Sequence, residues 1–224
     1  MKNIIDIFLN PSSVFRSLKE KPDWFKPLIL VLVVLSIISV LTVSTTHDLI
    51  TAQQIDAMKE RNLTDEQIEQ AMKFTSGPFI YVSTIFGTIL GVTVILLLFA
   101  LLLNLFIPVA GGEGSYKLVF AVVSYSALIK ILAHLLRWIL IMIKHSLQVT
   151  TSLALFVPNF PVKSFAYRLL ASFDFFIVWE MILVALGISI TNNLKKENAY
   201  VLVFVIWLAS IFIGLGLGQA FGPK

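Results

Sequence analysis

The chain contains no cysteine, which excludes a disulfide-stapled scaffold, a thiolate metal centre and a cysteine nucleophile. Charge is scarce as well. Asp, Glu, Lys and Arg make up 13% of the residues, where a soluble domain carries about a quarter. The histidines, His47, His134 and His145, are set far apart, so no pair stands at metal-ligand spacing. Neither H-E-x-x-H nor G-x-S-x-G occurs, which removes the helical zinc-peptidase site and the nucleophile elbow of serine hydrolases. No catalysis, cofactor or resident metal is expected.

What fills the chain instead is apolar. Of its 224 residues 58% are hydrophobic, and the mean hydropathy is +0.91. Disorder is excluded, since such a chain can bury ample apolar surface. A helix crosses about 30 Å of hydrocarbon with roughly 20 mainly apolar residues. Five stretches meet that length, at about 27–46, 79–109, 116–143, 167–190 and 200–221. The expected fold is therefore all-α: a polytopic membrane protein built as a five-transmembrane-helix bundle. No cleavable leader is expected, because Asp6 and the Asn10-Pro11 break interrupt the first apolar patch.

Basic residues in the short flanks set the expected orientation. Residues 1–26 carry Lys2, Arg16, Lys19, Lys21 and Lys26; Lys117 follows the second span, and Lys195 and Lys196 follow the fourth. With five spans these regions share one side, which makes the N-terminus cytoplasmic and the C-terminus external in a cell (plasma or inner) membrane. The net charge of +4 is accounted for by this retention, so no nucleic-acid partner is expected.

Outside the spans, residues 3–9 and 11–19 read as short amphipathic helices, with Asn10 capping the second and Pro11 in its first turn. Val14, Phe15 and Leu18 share a face, while Arg16 and Lys19 lie off it. These five residues are expected to seat the helix at the lipid headgroups or against a partner. The insert at 47–78 contains Thr64-Asp65-Glu66-Gln67, a capping box, and is expected to form an outer helical hairpin. Residues 145–166 are broken by Pro158 and Pro161 and read as an interfacial or re-entrant loop.

Ionisable residues inside spans are the candidates for function, because leaving them unpaired in hydrocarbon costs several kcal/mol. Span three carries Lys130, His134 and Arg137 on one helix face, and span four carries Asp174 and Glu180. One antiparallel register brings Lys130 level with Glu180 and Arg137 level with Asp174, although the two acids lie about 120° apart around their helix. This set serves as ion pairs between helices, as a proton or ion relay through His134, or as a polar cavity for a lipid headgroup or other ligand. Gly87 with Gly91, and Gly214 with Gly218 and Gly222, form small-xxx-small patterns expected to let helices of the bundle approach closely.

Three segments together resemble a known family. NPSSVFRSLKEKPDWFKPLIL, GGEGSYKLVFAVVSYSALIKIL and FDFFIVWEMILVALGIS are similar to the start, the glycine turn with third span, and the fourth span of the YIP domain, named after Ypt/Rab-interacting proteins. The resemblance implies a five-helix membrane bundle without enzymatic activity. Eukaryotic members bind prenylated small GTPases in vesicle traffic. This chain lacks their long cytosolic N-terminal region and so resembles the prokaryotic branch, for which a Rab-type partner is not expected. The expected partners are membrane lipid and another membrane protein or complex. The expected role is an accessory or scaffold in transport or envelope stress, the alternative being a transporter or lipid-handling protein using the charged cluster.

Overall fold

The computed structural model describes residues 2–75 and 77–221, with side-chain surroundings for 4–73 and 77–216. These residues form eleven α-helices: α1 (Lys2–Leu9), α2 (Pro11–Glu20), α3 (Phe25–Thr45), α4 (His47–Glu60), α5 (Asp65–Thr75), α6 (Pro78–Phe106), α7 (Tyr116–Ser126), α8 (Ile129–Lys144), α9 (Phe165–Ala171), α10 (Phe175–Thr191) and α11 (Lys196–Phe221). A short 3-10 helix, Leu153–Phe156, precedes α9. Among the described residues, four segments are long and apolar enough to cross a membrane: Phe25–Thr45, Pro78–Phe106, Tyr116–Lys144 and Lys196–Gly216. A fifth apolar helix, Phe175–Thr191, is 17 residues long. The protein is a polytopic helical membrane protein.

Two of the expected spans are broken rather than continuous. The helix expected over 167–190 stops at Ala171 and restarts at Phe175. Asp174 is the reason. Its carboxylate accepts a 2.8 Å hydrogen bond from the Phe176 N–H and one from the Thr151 hydroxyl, and its extended backbone pairs with Ser152 in an isolated bridge. A carboxylate that caps a helix N-terminus satisfies donors the helix itself cannot. The third span divides at Ala127–Leu128, where the Leu128 N–H reaches back three residues to the Tyr125 carbonyl at 3.1 Å, a 3-10 closure.

The chain forms two compact units. The first comprises the residues up to Val31, Val94–Ala133, and those from Thr150 onward. Here α10 packs on α2, α7 and α11. Gly187 makes the approach possible: a Cβ on it would lie 3.0 Å from Phe15 Cε1 and would overlap Val122 Cγ1. Val14, Phe15 and Leu18 are buried here, as is Ile7 of α1. The expected seating of this face in lipid headgroups is thus corrected. Protein covers the apolar stripe, since a protein interior satisfies it as well as lipid does. Arg16 stays exposed, and Lys19 donates a 2.5 Å hydrogen bond to Asn193 Oδ1. Asn10 caps α2 by accepting from the Ser13 N–H at 3.4 Å.

At the same end, the Glu113 N–H donates to the Asn192 carbonyl at 2.8 Å and Asn192 Nδ2 donates to the Glu113 carbonyl at 2.7 Å. The turn before α7 and the loop before α11 are therefore tied together. Gly112 sits in that turn, where a Cβ would come within 3.0 Å of the Asn192 carbonyl.

The second unit comprises Leu32–Thr93 and His134–Val149. In it α4 and α5 follow each other as two separate helices joined by the turn at 61–64. The capping box is made: the Thr64 N–H donates to Gln67 Oε1 at 2.9 Å and the Gln67 N–H to Thr64 Oγ1 at 3.3 Å. Asn62 takes the left-handed backbone (φ 58°) that turns the chain.

Candidate functional site

Lys130 and Glu180 face each other in the first unit. Lys130 Nζ lies 2.6 Å from Glu180 Oε2, with side-chain exposures of 27% and 4%. A carboxylate so nearly removed from solvent is costly unless a cation is placed against it, and the pair therefore fastens α8 to α10. The register argued from sequence is the one observed for these two residues. One turn before Lys130, the Ser126 hydroxyl is fully buried without a hydrogen-bond partner.

The other expected partner, Asp174, is engaged within its own unit. Both Asp174 oxygens serve the helix start described above, because the break at 172–174 ends the continuous register that the pairing requires. His134 and Arg137 belong to the second unit and are exposed on α8. Among the described residues, no carboxylate stands at ion-pair distance from Arg137.

His134 and Arg137 instead line a cavity of about 390 Å³ within the second unit. Its other polar lining is Ser39 and Thr42 of α3, Thr84 and Thr88 of α6, and Trp138. Ile38, Val43, Ile141 and Leu147 complete the wall. The Thr88 hydroxyl donates to Ser39 Oγ at 3.3 Å, and the Trp138 indole N–H donates to Thr45 Oγ1 at 3.3 Å. Thr42 and Thr84 donate to their own helices, at the Ile38 and Ile80 carbonyls, which leaves their lone pairs facing outward as acceptors. Sequence reasoning missed these hydroxyls. Their signal was spacing: Ser39 with Thr42, and Thr84 with Thr88, put polar groups on one face of otherwise apolar helices.

The glycine patterns do not pack inside the bundle. A Cβ on Gly87, Gly91 or Gly214 would meet nothing within 4 Å; Gly87 and Gly91 are exposed on α6, and Gly214 lines a cavity of about 550 Å³ with Arg168 and Trp207. Gly222 lies outside the described residues, and the surroundings of Gly218 are likewise not described.

The Yip1 domain family model matches residues 5–218. The chain belongs to the Yip1 domain family. A Yip1-type chain with this organisation is similar to membrane protein YknW of Bacillus subtilis (strain 168), at 24% identity over 220 residues, covering 95% of this chain and 90% of that protein. No solved structure matches. The Yip1 match spans both the Lys130–Glu180 pair and the hydroxyl-lined cavity, and it agrees with the resemblance drawn from the three sequence segments.

Proposed function

We propose that this Yip1-family protein is a non-enzymatic accessory or scaffold of the cell membrane, assembling with another membrane protein or complex of transport or envelope stress. The observation that carries this reading is the bare face of α6. Its apolar window is only 17% buried within the chain, and Ser83, Gly87 and Gly91 recur every fourth residue along it, with the glycines open. In a membrane, association of helices rests on close van der Waals approach, which such a face permits. The occupant is a transmembrane helix of the partner. The closed Lys130–Glu180 pair supports the same reading, because its charges satisfy each other and hold two helices together.

Gentle extraction from native membranes followed by mass spectrometry tests the proposal. A stoichiometric membrane-protein partner is expected with the native chain and is expected to be lost from Gly87→Leu/Gly91→Leu. A lone native protein, or a partner unaffected by the double substitution, sinks it. The cavity beside Arg137 favours a second reading, lipid handling.

A further inference from the structure

We infer that the cavity of the second unit holds the phosphate of an anionic membrane phospholipid, with Arg137 as its counter-ion. The inference goes beyond the docking proposal and does not depend on it.

Arginine keeps its charge at any physiological pH and cannot escape hydrocarbon by losing a proton. Its five N–H donors are shaped for a carboxylate or phosphate. Within its unit, and among the described residues, no carboxylate stands at ion-pair distance from Arg137. An anion from outside the chain would complete the pair, and the cavity selects its kind. The same lining offers the Ser39 hydroxyl, which already accepts from Thr88 and so keeps its own proton to donate. The acceptor oxygens of Thr42 and Thr84 suit hydroxyls of a glycerol headgroup. A trimethylammonium group would find no carboxylate in the lining.

Depth points to a lipid rather than a free ion. Thr42 is three residues from the end of α3, Thr84 six from the start of α6, and Arg137 seven from the end of α8. At the helical rise these positions lie about 5–10 Å in from their helix ends, displaced from the helix midpoints toward one leaflet's headgroups. Trp138 next to Arg137 has the amphipathic ring that settles at this level. Ile37, Leu41, Ile85 and Ile89 are exposed on the same two helices, where acyl chains would lie.

The experiment is native mass spectrometry of the full chain in non-ionic detergent, titrated with phosphatidylglycerol or with phosphatidylcholine of the same chains. One phosphatidylglycerol is expected to be retained in preference to phosphatidylcholine. Arg137→Gln should weaken that binding by about tenfold or more, Ser39→Ala/Thr88→Val by less. Lys144→Gln, a basic residue at the same helix end but outside the cavity, should leave it unchanged. Equal retention of phosphatidylcholine, an unaffected Arg137→Gln, or an equal loss in Lys144→Gln overturns the inference. Displacement of the lipid by equimolar inorganic phosphate also overturns it, by showing a free-anion site. The Ser39→Ala/Thr88→Val variant keeps the test decisive if Arg137→Gln does not fold.

Discussion

Glu180 shows how one residue shapes its surroundings. With its side chain 4% exposed and Lys130 Nζ at 2.6 Å, it is stable only as half of a pair. Removing one partner of a buried pair strands the other charge and costs about 3–5 kcal/mol, whereas replacing both by apolar groups of similar size is close to neutral. Lys130→Met and Glu180→Leu should each lower the melting temperature of the detergent-solubilised protein sharply, and the double variant should recover most of the loss. The double-mutant cycle is the check: additive losses would show that the two side chains act separately. A relay would depend on ionisation of the pair, so a double variant that keeps its biological activity also argues for a fastening role.

Between elements, the decisive contact is that of α2 with α7 and α10 at Gly187. Because a Cβ there would collide with Val122 and the Phe15 ring, Gly187→Ala should destabilise the protein by about 1–3 kcal/mol as an overpacked site, and trimming Phe15 to Leu should restore part of it. Trypsin cleavage at Arg16, Lys19 and Lys21 reads the same event, and is expected to be faster in Gly187→Ala. An unchanged cleavage rate would mean that α2 does not depend on this approach. The helix signals of length, the Asn10 cap and the Thr64–Gln67 box were legible in the sequence because each is a local rule. The fate of Val14, Phe15 and Leu18 was not, because periodicity identifies an apolar face without saying whether lipid or protein covers it. Asp174 misled for a related reason: an acid in an apolar run reads as an intramembrane charge, and only the Thr151 contact, from a distant loop, reveals the helix start. Of the two expected pairs, Lys130 with Glu180 is found. The cavity hydroxyls were hidden because Ser and Thr are tolerated throughout apolar helices, and their convergence depends on three helices meeting.

For the whole molecule, sidedness follows from which loops meet. The turn at 111–115 and the loop at 192–195 are bonded to each other through Glu113 and Asn192, and α2 joins them through Lys19 and Asn193. Within that unit α10 ends where α7 and α11 begin. Its 17 residues span about 26 Å, short of the usual thickness by an amount that local thinning of the bilayer accommodates. We propose five crossings on this ground. That order also gathers Lys19, Lys117, Lys195 and Lys196 on one side, the side expected to be cytoplasmic. The absence of cysteine makes the order directly measurable, because any introduced thiol is the sole target. Glu20→Cys, Glu66→Cys and Lys195→Cys replace exposed residues. In intact cells a membrane-impermeant maleimide should label only position 66, with 20 and 195 labelled after permeabilisation. Labelling of 20 in intact cells would reverse the orientation. Labelling of 66 together with 195 would show instead that α10 does not return the chain across the bilayer, so that the break at Asp174 would begin a helix confined to one face.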